Sequence, residues 1–181
     1  VLAVESEQVY RNPVHAENIQ KKEIIYTQEQ KRAIMRFCKD YENGIRKTYL
    51  LHGVTGSGKT EVYMELIAHT VAQGRQAIVL IPEIALTYQT VMRFYNRFGD
   101  RVSIMNSKLS QGERFDQFER AKAGDIDIMI GPRSALFTPF PHLGLIIIDE
   151  EHETSYKSET APRYHARDCL LYTSPSPRDY A

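Results

Sequence analysis

A chain of 181 residues holds one domain of ordinary size with a sizeable core, and is short for two. Its 42% apolar and 25% charged residues are the proportions of a soluble globular protein. Basic and acidic side chains balance at 23 each, which excludes a global field that attracts nucleic acid; any such binding needs a local patch.

The two cysteines, Cys38 and Cys169, lie far apart in no metal-ligand spacing and read as reduced thiols. No apolar run approaches a membrane span, and Val1–Arg11 lacks the charged-then-apolar order of a signal peptide. A cytoplasmic location without a membrane partner is the default expectation. The first residue is not Met, which suggests a start inside a longer chain.

Residues 1–26 are polar, mixed in charge and interrupted by Pro13, and read as a linker or the end of a preceding element. Thr27 caps an expected helix carrying Ala33, Ile34, Phe37 and Cys38 at helical spacing, stopped by Asn43-Gly44. Thr48–His52 is an apolar run of strand length that leads into a glycine-rich turn. A second amphipathic helix is expected from Lys59 to Gln73, with Val62, Leu66, Ile67 and Val71 on one face and Gly74 closing it.

The alternation continues with a strand at Ala77–Ile81, a helix at Ala85–Phe98 and a strand at Val102–Met105. A helix at Gln111–Ala123 and strands at Ile126–Ile130 and Leu145–Ile148 complete it. Short apolar strands separated by helices predict a mostly parallel sheet with helices on both faces. The segment 171–181, with two prolines and few aliphatic residues, reads as a disordered or foreign tail, which leaves 27–170 as the folded lobe.

Gly53-Val-Thr55-Gly56-Ser57-Gly58-Lys59-Thr60 has the spacing of a phosphate loop and lies between an expected strand and an expected helix. Glycines let successive backbone N–H groups turn inward around phosphate oxygens, and the following helix offers its positive end to the same anion. In such a loop Lys59 reaches the β and γ phosphates and the Thr60 hydroxyl ligates magnesium. An incidental glycine-rich turn is the competing explanation; the strand before and helix after weigh against it. No Asn-Lys-x-Asp element for reading guanine is present, so ATP is the expected nucleotide.

Asp149-Glu150-Glu151-His152 follows the last apolar strand, at the sheet end where ligands of open parallel sheets bind. Asp149 is placed to hold magnesium, through water, and Glu150 to orient and deprotonate the attacking water. Magnesium favours oxygen, so His152 is read as a coupling residue. Alone this is an ordinary solvated acidic turn; with the phosphate loop it specifies an NTP hydrolase. The fold expected is therefore an α/β P-loop NTPase lobe of the RecA-like kind.

Gly-Ser-Gly-Lys-Thr60 with Asp149-Glu-Glu-His152 resembles the superfamily 2 helicases of the DEAH-like type. Four further stretches are similar to the primosomal replication-restart helicases: His52–Tyr63, Ile81–Thr87, Ile130–Phe140, and Asp149–Lys157 with Pro162–Asp168. The resemblance spans about Tyr26 to Asp168. It implies an ATP-dependent 3′-to-5′ DNA helicase lobe that restarts stalled forks, with forked and single-stranded DNA, primosome proteins and single-strand-binding proteins as partners.

The resemblance also assigns Gln30 to adenine, and Pro82, Glu83, Arg133 and Ser134 to the DNA strand backbone. Tyr156, Lys157, Arg163, Tyr164 and His165 fall in an aromatic-rich loop that couples single-stranded DNA to the ATP site. Aromatic faces interleaved with cations are what stacks bases and neutralises phosphates. Asn106 stands where the family commonly has His, and is read as tolerated variation. A second lobe with an arginine finger, zinc-binding cysteines and preceding DNA-binding domains are implied outside these 181 residues. Two alternatives stay open: a truncated nucleotide- or DNA-binding module without turnover, and another superfamily 2 DNA translocase.

Overall fold

The computed structural model describes residues 24–159, 161 and 163–173. The linker expected over residues 1–26 lies mostly outside the described residues, and the tail beyond residue 173 wholly so. Four strands, β1 (Gln76–Leu80), β2 (Val102–Ile104), β3 (Ile128–Gly131) and β4 (Leu143–Ile148), form one sheet in the order β2-β3-β1-β4. Every pairing is parallel. Five α-helices accompany them: α1 (Gln28–Glu42), α2 (Lys59–Ala72), α3 (Tyr88–Phe98), α4 (Gln111–Ala123) and α5 (Ala166–Thr173).

Successive strand residues point to opposite faces, and each face carries its own core. Ala77, Val79, Ile81, Ile128 and Ile130 pack against Tyr63, Met64 and Ile67 of α2 and Val91, Phe94 and Tyr95 of α3. Ile78, Leu80, Met129 and Ile126 face the other way, toward Ala121 of α4, Tyr156, and Ala166 of α5. Burial on both faces is why the strands read as unbroken apolar runs. The α/β, RecA-like arrangement expected from the sequence is the one the chain adopts.

Local chemistry sets most boundaries. Thr27 and Gln30 form a reciprocal capping box on α1, as Ser110 and Glu113 do on α4. Helix α3 starts at Tyr88 rather than Ala85, because Pro82 opens a 3-10 turn over Glu83–Ala85 and the Thr87 side chain then caps Thr90 N–H. Asn106 also has a local role: its Oδ1 accepts from Lys108 N at 3.0 Å and Leu109 N at 3.1 Å, tying the turn after β2. Helix α5 runs to Thr173, past the boundary expected at residue 170.

One expected element is not formed. Thr48–His52 forms no strand and pairs with none among the described residues, and Leu50 is 79% exposed. Strand β4, paired only with β1, is correspondingly half-buried along its whole length. An apolar run becomes a strand only where a partner supplies the other half of the hydrogen-bond ladder.

Close packing at the carboxyl end of the sheet makes one glycine indispensable. A Cβ on Gly131 would lie 2.5 Å from the Met105 carbonyl oxygen and 2.9 Å from Met105 Cβ. Gly131→Ala is expected to lower stability by about 1–3 kcal/mol as β2 and β3 are forced apart, read as a lower denaturant midpoint.

Candidate nucleotide site and acidic turn

The loop Gly53–Gly58 leads directly into α2, whose N-cap, Gly58, has φ +79° and provides no side-chain cap. Gly56 likewise has φ +81°, a region that L side chains rarely adopt. The N–H groups of the first helical turn are thus left for an anion rather than a capping side chain. Lys59 Nζ donates to the carbonyls of Gly53, at 2.7 Å, and Val54, at 3.0 Å, which fixes its charge across the loop. Thr55, Gly56 and Ser57 are exposed around it, and Thr60 is half-buried.

Gln30 reaches this loop from α1, but its amide is already engaged. Oε1 accepts the Thr27 N–H at 2.8 Å, and Nε2 donates to the Ser57 carbonyl at 2.9 Å. What the geometry displays for Gln30 is a brace between the cap of α1 and the phosphate loop.

Beyond the end of β4, Asp149 N–H donates to Leu80 O at 2.9 Å, so the ladder with β1 carries one residue into the acidic turn. Asp149 Oδ1 accepts the Glu150 N–H at 3.0 Å, and Oδ2 accepts the Tyr63 hydroxyl at 3.1 Å. Glu150 has φ +48°, the one non-glycine residue with positive φ among those described. Its side chain is exposed, and Glu153 N–H closes the turn onto its carbonyl at 2.9 Å. Glu151 is paired with Arg167 of α5 at 3.0 Å, while His152 stands exposed beside it.

Tyr63 and Tyr156 hold Asp149 from two sides. The Tyr156 hydroxyl lies 2.6 Å from the Asp149 carbonyl and 2.9 Å from the Leu80 carbonyl, and its ring is 1% exposed. A direct stacking role for Tyr156 on DNA is therefore corrected: a ring packed beneath the sheet end has no face for a base. Burial first, and then the nearby charges of Asp149 and Glu150, raise its phenol above the ordinary range. Tyr63 is raised by burial and by Asp149. Tyr156→Phe keeps the ring but takes the hydroxyl from the Asp149 carbonyl, while Leu80 O keeps the Asp149 N–H, and is expected to cost about 1–3 kcal/mol, measurable by denaturant titration.

Tyr156 opens the segment expected to couple DNA to nucleotide, and most of the other residues assigned there gather with it. Lys157 and His165 form an antiparallel bridge, with Ser158 N–H donating to Tyr164 O at 2.7 Å. Lys157, Arg163, Tyr164 and His165 line an open cleft of about 460 Å³ with Ser158 and Glu159. Arg133 donates to the carbonyls of Ser155, at 3.0 Å, and Lys157, at 2.7 Å, and Phe137 meets the Tyr164 ring edge-on at 5.2 Å. Ser134, next in the 3-10 turn, is half-buried.

Pro82 and Glu83 lie apart from that cleft. Pro82 is buried, so a contact of this segment with a DNA strand would not run through its ring. The Glu83 carboxylate accepts from both the backbone N–H and the hydroxyl of Ser107. An acid held in that way fixes the turns after β1 and β2 to each other; it offers nothing attractive to a phosphate.

Three contributors escaped sequence reading: Tyr63, Arg167 and the clamp made by Arg133. Only Tyr63 had a legible signal, as a polar-tipped residue on the apolar face of α2, one turn beyond Thr60.

The donors present suit a magnesium nucleotide. Asp149 and Thr60 are hard oxygen donors, the first held by the Tyr63 hydroxyl one turn beyond the second, and magnesium takes few protein ligands because phosphates and water supply the rest. No cluster of three His, Cys, Asp or Glu residues able to hold a metal occurs among the described residues, so a zinc-type cage does not compete here. A Cβ on Gly53 would meet Ser57 Oγ at 2.7 Å, which keeps the cradle open for phosphate oxygens rather than side chains.

Glycine-rich loop, parallel sheet and flanking helices make this an α/β P-loop lobe of the RecA-like kind. The chain belongs to the DEAD/DEAH box helicase family, whose sequence model matches residues 27–176. It is similar to the replication restart protein PriA of Bacillus subtilis, 48% identical over 166 residues, which are 91% of this chain and 21% of that protein. The replication restart protein PriA of Haemophilus influenzae is 52% identical over 123 residues, covering 68% of this chain and 17% of that protein. The Synechocystis replication restart protein PriA is 52% identical over 119 residues, 65% of this chain and 14% of that protein. The chain thus spans about a fifth or less of the length of these relatives.

Proposed function

We propose that this chain is the first, ATP-binding motor lobe of a 3′-to-5′ DNA helicase that restarts stalled replication forks and takes part in primosome assembly. The observation that carries the reading is the Tyr63–Asp149 hydrogen bond, 3.1 Å long, which brings the phosphate-loop helix and the acidic strand end into one cleft. The similarity to replication restart proteins supports the fork-restart part.

In this reading Gly53, Thr55, Gly56, Ser57 and Gly58 shape the loop around the phosphates, and Lys59 pairs with the β and γ oxygens. Thr60 and Asp149 hold magnesium, which when bound neutralises phosphate charge. Glu150 takes the proton of the attacking water. Gln30 meets adenine only by releasing or sharing its hold on Ser57. Lys157, Arg163, Tyr164 and His165 bind single-stranded DNA, while Arg133, Ser134, Glu83 and His152 transmit its presence to the acidic turn. Single-strand-binding and primosome proteins are the proposed partners, in the cytoplasm. No helix among the described residues is long and apolar enough to cross a membrane. Zinc has no place among these residues; it belongs, on this reading, to cysteines of a longer relative.

Hydrolysis by the chain alone is expected to be slow, because an arginine supplied from outside a nucleotide site is worth about 10³–10⁵ in rate. The test is a chimera in which this lobe replaces the matching lobe of the Bacillus subtilis relative. DNA-stimulated ATP hydrolysis by the chimera is the expected result. A folded chimera that binds ATP but shows no stimulated turnover would favour a binding module, and overturn the motor reading.

A further inference from the structure

We propose that Tyr63 is a positioning residue for the magnesium ligand Asp149: its hydroxyl holds one carboxylate oxygen and sets which lone pairs the acid presents to the cation. The inference rests on the magnesium–nucleotide reading of the site.

Tyr63 lies three residues beyond Thr60 on α2, so the two side chains share a helix face. Its ring is 5% exposed and stacks on Phe94 with centroids 6.3 Å apart, which leaves the hydroxyl little freedom to wander. That hydroxyl lies 3.1 Å from Asp149 Oδ2.

A phenol has a single proton to donate. A carboxylate only accepts, so the proton goes to Asp149. Asp149 is constrained, since Oδ1 accepts the Glu150 N–H at 3.0 Å while Tyr63 holds Oδ2. With both oxygens held, the carboxylate plane is set before a nucleotide arrives. A ring needed only for packing would do its work equally well as phenylalanine.

The test uses the full chain, a fluorescent ADP analogue as probe, and titration with magnesium chloride or, separately, EDTA. Tyr63→Phe is expected to raise the magnesium concentration for half-maximal binding about tenfold, at the lower end of what losing an orienting partner costs a metal site. Affinity in EDTA should stay within twofold. In an Asp149→Asn background the same substitution should change the magnesium requirement less than twofold. Equal losses with and without magnesium, or an undiminished effect beside Asp149→Asn, would show a packing role only and overturn the proposal.

Should Tyr63→Phe not fold, 3-fluorotyrosine placed at Tyr63 decides the matter. A more acidic phenol is a stronger donor, so the magnesium requirement should stay level or fall; a rise overturns the proposal. Failure of the unaltered chain to bind the probe at all would overturn this inference and the nucleotide reading together. Magnesium-dependent binding that Tyr63→Phe does not alter overturns the inference alone.

Discussion

Lys59→Ala is expected to lower DNA-stimulated ATP hydrolysis by on the order of 10²–10³-fold, the usual consequence of removing one preorganised donor from a developing anion. Measured in the chimera with the Bacillus subtilis relative, the loss should appear in kcat and be joined by a rise in KM. Both follow from geometry. The Lys59 ammonium is pinned by the Gly53 and Val54 carbonyls, so its charge is aimed at the cradle before phosphate enters. Alanine removes that charge and also the link that braces the first two residues of the loop. Lys59→Arg should fail to rescue, because a planar fork cannot take the place of a compact ammonium between two carbonyls. Thermal stability should move little, since the loop around Lys59 is exposed. Turnover that persists in Lys59→Ala would remove the phosphate loop from the mechanism.

That loop was readable because its chemistry is local. Spacing, glycines and the helix that follows all lie within a dozen residues, and periodicity alone located β1, β2, β3, β4 and three of the long helices to within a residue or two at most ends. The failures share another cause. Thr48–His52 has the apolarity of a strand, yet pairing depends on a partner that no local pattern specifies. Tyr156 has the composition of a DNA-facing loop, but the turn after β4 folds its ring under the sheet. Gln30 looks like a free amide near a nucleotide, until the capping box with Thr27 and the reach to Ser57 engage both its ends. Tyr63 drew no separate reading within α2 because its partner is 86 positions away. In each case the sequence displays a residue's chemistry, while the fold decides what that chemistry meets.

Glu150 gives the sharpest separation of function from stability. Glu150→Gln is expected to lower ATP hydrolysis by about 10²–10⁴-fold, the range that a general base contributes, while nucleotide binding stays within a few-fold. The amide keeps the shape of the side chain and loses the basic oxygen, so a loss confined to kcat identifies proton abstraction. The backbone supplies a second, opposite expectation. Glu150 sits at φ +48°, where a side chain with a Cβ costs about 1–2 kcal/mol relative to glycine. The position is held there by Asp149 Oδ1 on its N–H and by Glu153 on its carbonyl, and the side chain itself is exposed. Glu150→Gly should therefore stabilise the fold by about 1 kcal/mol, read as a higher denaturant midpoint, in the same protein whose hydrolysis it abolishes. A residue retained at a conformational cost, without burial to offset it, is one whose carboxylate has work at the site. If Glu150→Gly neither stabilises the fold nor reduces turnover, the strained acid is an accident of the turn and the base lies elsewhere.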